Sequence, residues 1–215
     1  MKKDVLYEDE SLLVCIKPVG VDSQEGMREL LREQLGVESL CVHRLDREVG
    51  GLMVFAKNPA AAAGLSAAIA RRDMQKEYLT VLPGSPQPEE GVLRDLLFRD
   101  AAKNKSYVVK RRRKGVREAE LEYRLLEQAE GLCLVRVKLH TGRSHQIRVQ
   151  FASRGLPLLG DKKYGSREQG CTIALWSCRL AFPHPGSSKI LDFSAMPESE
   201  YPWSRFEYIR IGKEE

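Results

Sequence analysis

Residues 41–57 have the sequence CVHRLDREVGGLMVFAK, and the interpretation of the whole chain starts from this stretch. Ionisable side chains occupy five of the six positions 43–48, a glycine pair follows at Gly50 and Gly51, and residues 52–56 are apolar. A short apolar run directly after two glycines predicts a buried strand. We expect the charged loop to stand on that strand, because functional side chains are often carried by loops on a rigid support.

Asp46 is the candidate reactive side chain of this loop. Arg44 and Arg47 flank it, and nearby positive charge favours an ionised carboxylate. An ionised carboxylate suits a nucleophile or an electrostatic stabiliser better than a general acid. Taken alone, the same string is more typical of a surface ion-pair cluster. A glycosidase pair with Glu48 has weak support, because both carboxylates lie on one short loop.

The composition is that of a globular protein with a substantial core. The chain has 215 residues, of which 42% are hydrophobic and 30% are charged. It lacks the run of about 18 apolar residues that a membrane helix needs, and its N-terminus has no apolar signal segment. Its five cysteines form no C-x-x-C pair. These features predict a cytoplasmic protein with reduced thiols, no metal site and no membrane contact.

Positive charge is concentrated in residues 103–117, which we call the basic segment. The formal net charge of the chain is +5, yet this segment alone holds eight basic residues and no acidic one, so the remainder is net acidic. The eight are Lys103, Lys105, Lys110, Arg111, Arg112, Arg113, Lys114 and Arg117. A local basic patch predicts a polyanionic partner. The alternative, a solvated loop tip, is the commoner explanation for an isolated charge run.

The apolar periodicity predicts more strands than helices. Helices are expected at 24–35, ending at Gly36, at 60–72, with Asn58 as N-cap and Pro59 in the first turn, and after Ser144 as N-cap. Strands are expected within 4–20 and at 52–56, 76–82, 106–110, 119–125, 132–139 and 173–182. Because many neighbours look antiparallel, we predict an α+β fold with an antiparallel or mixed sheet in one domain, residues 1–215.

Residues 141–148, TGRSHQIR, form a second stretch dense in chemistry. Gly142 allows a close backbone approach, and the start of the predicted helix offers N–H groups to an anion. Arg143 can hold Asp46 ionised or grip a phosphate. His145 can act as an acid or base, although a structural hydrogen bond is at least as common for a single helical histidine. Tyr78 is either a core aromatic or a stacking platform for a base.

Three stretches in order resemble the RluA-type family of RNA pseudouridine synthases. The family motif H-R-L-D-x-x-T-S-G-L-L-x-F-A-K stands at residues 43–57, K-x-Y stands at residues 76–78, and T-G-R-x-H-Q-I-R-x-x-x-A-x-x-G-x-P-x-x-G-D-x-x-Y-G stands at residues 141–165. Weaker echoes occur at residues 7–9, 17–20 and 182–185. One short motif can arise by chance, but these stretches occur in the family's order and, with the weaker echoes, span nearly the whole chain.

The resemblance implies a fold and a reaction. The fold is an α+β pseudouridine synthase catalytic domain, a mostly antiparallel mixed sheet with flanking helices and a central active-site cleft. The chain corresponds to the short form without an S4 RNA-binding domain. The reaction isomerises uridine to pseudouridine in RNA, here expected to be rRNA or tRNA, and needs no cofactor or metal. The partner is therefore RNA, and we expect a monomer.

The resemblance also assigns roles to individual residues. Asp46 falls on the catalytic aspartate, and Arg143 falls on the arginine that forms a salt bridge with it. Tyr78 falls on the tyrosine that stacks on the target base and can accept the C5 proton. Arg44 falls on the residue that can fill the space left by the flipped base, and Ile147 falls on the apolar residue that packs against the base pocket. We further expect RNA contacts from His145, Arg148, Lys110, Arg111, Arg112 and Arg113.

The sequence departs from the family motif just after Asp46. Val49 and Gly50 stand where the motif has Thr and Ser. Elsewhere, Gln150 and Trp176 occupy positions where His is common, and Met196 one where Pro is common. These differences leave open a non-catalytic RNA-binding protein on the same fold. A third hypothesis, a carboxylate hydrolase acting on a glycoside, also stays open.

Overall fold

The structure is a computed structural model that describes residues 4–212. Its strands are β1 (Val5–Glu8), β2 (Leu12–Lys17), β3 (Leu40–Cys41), β4 (Gly50–Ala56), β5 (Gln75–Leu82), β6 (Glu90–Asp100), β7 (Lys105–Val109), β8 (Val116–Ala129), β9 (Leu132–Leu139), β10 (Leu175–Pro183) and β11 (Ile190–Ser194). Its helices are α1 (Glu25–Leu35), α2 (Pro59–Arg71), α3 (Gln146–Ala152) and α4 (Glu207–Ile211).

The chain forms two compact units. Among the described residues, unit 1 comprises 4–76 and 176–197, and unit 2 comprises 77–175 and 198–212. Each unit contains both strands and helices, which agrees with the predicted α+β class. The expectation of a single domain stays a prediction.

Strand β4 is the centre of unit 1, and every one of its residues is buried. It pairs antiparallel with β2 from Leu12↔Ala56 to Lys17↔Gly51, and parallel with β10 at Gly50 and Gly51. Strand β1 pairs antiparallel with β2, β3 with β4, and β11 with β10. The predicted buried strand at 52–56 is confirmed, because neighbours cover it on both edges and a core covers it on its faces.

The core of unit 1 is apolar and joins residues that are far apart in sequence. Side chains from β2 and β4 pack with those of α2 and with Leu180 and Phe182 of β10. Its buried members are Leu12, Val14, Leu52, Val54, Ala56, Ala61, Leu65, Met74, Leu180 and Phe182. Burial of these side chains is the main favourable term for folding this unit.

The ends of α1 and α2 follow the predicted local signals. Gly36 follows α1 in the left-handed conformation, with a φ of 68°, and its N–H donates to the carbonyl of Arg32. Asn58 caps α2, since its side chain accepts the N–H of Ala61, and Pro59 is the first helical residue. Both signals depend on neighbouring residues alone, so the sequence was sufficient to locate them.

The single first strand expected within 4–20 is wrong, since β1 and β2 fill this region with a turn between them. The carboxylate of Asp9 makes the turn: Oδ1 accepts the N–H of Ser11 at 2.7 Å and that of Leu12 at 2.9 Å. Its Oδ2 accepts the hydroxyl of Tyr7 at 2.7 Å and lies 2.9 Å from Nε2 of His184. Burial opposes ionisation, but these hydrogen bonds together lower the pKa of Asp9 to about 2.

In unit 2 the strands follow the order β5, β9, β8, β6, β7. Strands β8 and β9 form a hairpin through Glu130 and Gly131, both of which have positive φ. Strand β6 was not predicted; only Leu93 and Leu97 of its eleven residues are buried, which gives too weak a periodic signal. It pairs with both β7 and β8, so the strands on either side of residues 110–115 are not neighbours in the sheet.

We predict that Asp9→Asn lowers the free energy of unfolding at pH 7 by about 1–3 kcal/mol, because an amide cannot replace the charged acceptor. The folded-state pKa of Asp9 is depressed, so its contribution is present above about pH 4 and is lost as the pH falls towards 2. Urea denaturation at pH 7 and at pH 3 should therefore show a difference from wild type that shrinks in acid.

The matched control is Asp192→Asn, which removes a carboxylate from a half-exposed pair with Arg179 in the same unit. We expect it to change the free energy of unfolding by about 0–1 kcal/mol. Equal effects of the two substitutions at pH 7 would contradict the role given to Asp9.

Candidate active site

Lys17, at the end of β2, is a fully buried lysine that supports the loop around Asp46. Its ammonium donates to the carbonyls of Pro18 and Val21, both at 2.8 Å, and of Arg47 at 3.1 Å. Burial lowers the pKa of Lys17 to about 8, and the negative charges of Asp22 and Asp46 act in the opposite direction. The three carbonyls use the three donors of the ammonium, which makes its burial tolerable.

Two further contacts fix the backbone on either side of Asp46. The buried hydroxyl of Ser23 donates to the carbonyl of Leu45 at 2.6 Å and accepts the N–H of Leu45 at 3.0 Å. The N–H of Gly20 donates to the carbonyl of Arg47 at 2.8 Å, and Nε of Arg47 donates back to Gly20 at 2.8 Å. Residues 17–23, which we call the supporting segment, thus hold the chain both before and after the half-buried Asp46.

Arg44 is exposed at the start of the same loop, beside the N-terminus of α1. Its Nη1 lies 3.5 Å from the side-chain oxygen of Gln24. Asp22 caps this helix end by accepting the N–H groups of Gln24 at 2.9 Å and Glu25 at 3.0 Å. These backbone hydrogen bonds, with help from the charge of Arg44, lower the pKa of Asp22. An arginine is thereby presented to solvent two residues before Asp46.

His43 is a structural residue of the loop. It is buried, and its Nε2 accepts the N–H of Val54 at 3.1 Å, which attaches the start of the loop to β4. Burial lowers the pKa of His43 well below its ordinary value, and the positive charge of Lys76 adds to this effect. The imidazole is therefore neutral at pH 7, with its proton on Nδ1 because Nε2 is the acceptor.

In unit 2, Gln146 organises the turn that carries Arg143. Its side-chain oxygen accepts the N–H of Arg143 at 3.0 Å and the hydroxyl of Thr141 at 2.8 Å, and its amide nitrogen donates to the carbonyl of Glu120 at 3.0 Å. Arg143 itself is exposed, with Nε donating to the carbonyl of Glu118 at 2.9 Å. The sequence analysis did not identify Gln146 as a site residue. The available signal was its position between His145 and Ile147, which were both predicted.

The predicted N-cap of α3 is wrong. The helix begins at Gln146 and is preceded by His145 in the left-handed conformation, with a φ of 54°. Ser144 is therefore one residue too early to be the N-cap, and its carbonyl accepts the hydroxyl of Ser106. His145 is buried, with Nδ1 3.0 Å from the hydroxyl of Tyr164. This is the structural hydrogen bond that the sequence left open as the alternative to acid–base chemistry.

The structure places the predicted site residues in two groups. Asp46 and Arg44 belong to unit 1, whereas Tyr78, Arg143 and Ile147 belong to unit 2. Tyr78 on β5 is 6% exposed and Ile147 on α3 is 4% exposed. The salt bridge between Arg143 and Asp46 stays a prediction.

The described chain, from residue 4 to residue 212, contains no cluster of His, Cys, Asp and Glu side chains that could hold a metal ion. Within the same range, no helix is both long and apolar enough to cross a membrane. All five cysteines are free thiols.

A family model described as RNA pseudouridylate synthase matches residues 11–153, a span that contains Asp46, Tyr78 and Arg143. The chain belongs to this family. Its members are isomerases that modify RNA, and the match agrees with the motifs at residues 43–57 and 141–165.

Several curated members of the family are similar over most of the chain. An uncharacterized RNA pseudouridine synthase of Aquifex aeolicus is 33% identical, over 93% of this chain and 72% of its own length. One of Bacillus subtilis is 31% identical, over 92% and 70%. The ribosomal large subunit pseudouridine synthase C of Escherichia coli is 30% identical, over 89% of this chain and 65% of its own length.

Solved structures of two human proteins share the fold. Human RNA pseudouridylate synthase domain containing 1 matches with a TM-score of 0.80 and 23% identity, over 93% of this chain and 84% of that chain. Human RNA pseudouridylate synthase domain containing 4 matches with a TM-score of 0.76 and 22% identity, over 92% and 90%. The predicted α+β pseudouridine synthase fold is therefore confirmed.

Within this family fold, Arg148 has a structural role, and the RNA contact predicted for it stays a prediction. Its side chain is 3% exposed and that of Asp161 is fully buried. Nε and Nη2 of Arg148 donate to the two carboxylate oxygens at 2.7 and 2.9 Å, and the guanidinium lies 5.2 Å from the ring centre of Tyr164. A guanidinium committed to a buried bidentate pair has little surface left for a phosphate.

Residues 110–115 of the basic segment connect β7 to β8. Lys110, Arg111, Arg112 and Arg113 are exposed. The guanidinium of Arg113 lies 4.6 Å from the ring centre of Phe98 on β6, and Arg112 pairs with Glu118. Part of the segment is thus anchored to unit 2 while its charged ends face solvent.

We predict that Arg148→Met lowers the free energy of unfolding by about 3–5 kcal/mol, because it leaves the buried Asp161 carboxylate without its partner. Chemical denaturation measures this directly. Arg94→Met is the control, since Arg94 pairs with Glu120 on the surface of the same unit and should contribute about 0–1 kcal/mol. A variant of Arg148 with wild-type stability and weakened RNA binding would contradict the structural role and support the predicted RNA contact.

Proposed function

We propose that this protein isomerises specific uridines to pseudouridine in ribosomal or transfer RNA, with Asp46 as the catalytic carboxylate. The observation that carries the proposal is the immobilised backbone around Asp46, held by Lys17, Gly20 and Ser23 of the supporting segment. A carboxylate that must meet one sugar carbon in a defined direction needs such a fixed base. Membership of the family supplies the reaction class.

The reaction conserves all atoms of the nucleotide. The N1–C1′ glycosidic bond breaks, the uracil turns, and a C5–C1′ bond forms; C5 then loses its proton while N1 gains one. Asp46 can assist by stabilising oxocarbenium character at C1′, by forming a covalent adduct there, or by removing the C2′ proton. Because nothing is oxidised, reduced or transferred from another molecule, the scheme requires neither a cofactor nor a metal.

The remaining roles follow the motif positions. We assign to Arg143 an ion pair with Asp46, and to Tyr78 stacking on the uracil and acceptance of the C5 proton. Ile147 would supply apolar contact to the base. The buried positions of Tyr78 and Ile147 suit groups that exclude water from a reacting base.

We assign to Arg44 the role of filling the space that the target base leaves when it flips out of its stack. Extruding a base costs a few kcal/mol in lost stacking and pairing. A planar guanidinium can recover part of this by stacking on the neighbouring bases. The exposure of Arg44, two residues before Asp46, supports this role.

The basic segment is proposed to bind the phosphates of the RNA. Its exposed Lys110, Arg111, Arg112 and Arg113 form a charged tip on a chain that is otherwise net acidic. Ribosomal RNA is a reasonable first substrate, since a relative from Escherichia coli is named a ribosomal large subunit pseudouridine synthase. We further propose that the protein acts in the cytoplasm as a monomer.

The proposal is tested with Asp46→Asn, in an assay that maps pseudouridine in total RNA from cells lacking the gene after incubation with purified protein. We expect wild type to convert defined uridines and Asp46→Asn to be slower on the order of 10³-fold or more, with RNA binding nearly unchanged. Glu48→Gln is the control, because it removes the neighbouring exposed carboxylate of the same loop and should leave turnover intact.

Each alternative predicts a different result in this assay. A wild-type protein that binds RNA but makes no pseudouridine is a binding protein and not an enzyme. Release of free base or sugar identifies a hydrolase, and loss of turnover in Glu48→Gln would favour a pair of carboxylates. Undiminished turnover in Asp46→Asn removes Asp46 from the proposed role.

Replacing Arg111, Arg112 and Arg113 together by Gln should weaken RNA binding and make it less dependent on salt. For every phosphate that the variant no longer neutralises, the slope of log K against log salt concentration should become shallower by about 0.7–0.9. The control triple variant, Arg28→Gln with Arg71→Gln and Arg72→Gln, removes the same charge from exposed positions of unit 1. If both triple variants bind RNA alike at all salt concentrations, the basic segment is a solvated loop.

A further inference from the structure

Gly50, four residues after Asp46, is enclosed by two side chains of unit 1. It pairs with Trp176 in the parallel ladder between β4 and β10. A Cβ atom at Gly50 would lie 2.5 Å from Cζ3 and 2.9 Å from Cε3 of Trp176, and 3.1 Å from Cγ2 of Val19. Contacts under 3 Å between carbon atoms are strongly repulsive, so the space beside the indole admits glycine and no larger residue.

The indole of Trp176 cannot turn aside without losing its own anchor. Its Nε1 donates to the carbonyl of Ala195 at 2.8 Å, and its half-buried ring therefore has a fixed orientation over Gly50. The next residue, Gly51, has a φ of 114°, and a Cβ there would lie 2.4 Å from the carbonyl oxygen of Ser177. Two consecutive glycines thus let the start of β4 lie directly against β10.

This packing continues to Asp46 through a short stretch of chain. The N–H of Val49 donates to the carbonyl of Asp46 at 3.0 Å, and the side chain of Val49 is 2% exposed. Val19, which also approaches Gly50, is followed by Gly20, whose N–H donates to the carbonyl of Arg47. Trp176 therefore packs at the end of the Asp46 loop, where Val19 of the supporting segment also approaches Gly50.

We propose that Trp176 is a positioning residue for Asp46, and that its contact with Gly50 fixes the end of the loop. The inference rests on the proposed function, in which Asp46 is the catalytic carboxylate. Tight packing replaces the hydroxyl side chains that the family motif has at positions 49 and 50. The two differences from the family pattern, at Gly50 and Trp176, therefore depend on each other, because an indole at 176 and a side chain at 50 cannot occupy the same space.

The experiment is a double-mutant cycle on turnover, with the RNA substrate identified by pseudouridine mapping. Gly50→Ser should lower kcat on the order of tenfold to a hundredfold with little change in KM, because displacement of a catalytic group by about 1 Å has such an effect. Trp176→His should lower kcat about tenfold by removing the contact. The double variant, Gly50→Ser with Trp176→His, should recover to within about threefold of wild type, a strong non-additivity.

Gly64→Ala is the matched control for crowding a glycine in the same unit. Its Cβ would lie 2.7 Å from Cβ of Pro185, yet Gly64 is on α2 and outside the Asp46 loop. We expect this variant to lose stability while the folded protein keeps the kcat of wild type. A reduction of kcat equal to that of Gly50→Ser would show that general destabilisation explains both, and would overturn the positioning role.

A second readout does not depend on catalysis. The amide hydrogen of Val49 should exchange faster in both single variants than in wild type, and slowly again in the double variant. Wild-type turnover and slow Val49 exchange in Gly50→Ser, or a double variant no better than the product of its singles, would overturn the inference. Absence of pseudouridine formation by wild type would instead refute the proposed function, and the exchange pattern alone would then decide on the loop contact.

Discussion

The buried ammonium of Lys17 is the interaction on which the Asp46 loop depends. A charged amine removed from water must find acceptors, or its desolvation would destabilise the fold by several kcal/mol. Its three carbonyl acceptors come from the supporting segment and from Arg47 of the loop itself. A loop conformation that moved the Arg47 carbonyl away would leave part of this charge unsatisfied. The requirements of one lysine thereby restrict the backbone beside the carboxylate.

The turn that carries Arg143 in unit 2 is held in the same manner by neutral groups. The side-chain amide of Gln146 accepts hydrogen bonds from Thr141 and Arg143 in the turn and donates one to the carbonyl of Glu120 on β8. Arg148, two residues after Gln146, forms a buried ion pair with Asp161, so neither charge faces solvent. In both units, buried polar side chains fix the backbone, while the exposed cations Arg44 and Arg143 point away from the packed interior.

Features that depend on neighbouring residues were predictable from the sequence, and features that depend on distant partners were not. The cap at Asn58 and the buried strand after Gly51 are local, and both were located correctly. The cap predicted at Ser144 failed because His145, in the left-handed conformation, stands between it and the helix, and the buried partner of Arg148 lies 13 residues away. The family motifs identified the reaction class, but the packing of Trp176 on Gly50 required coordinates.

The discontinuity of unit 1 has a consequence for synthesis of the chain on the ribosome. Residues 4–76 emerge first, but Leu180 and Phe182, which complete their core, follow about 100 residues later, at a rate of roughly 5–20 residues per second. For several seconds the edge of β4 that pairs with β10 therefore lacks this neighbour, and the core above it lacks these two side chains. During this time the nascent protein has an unpaired strand edge and an incomplete apolar core, which makes early chaperone contact with this unit an advantage.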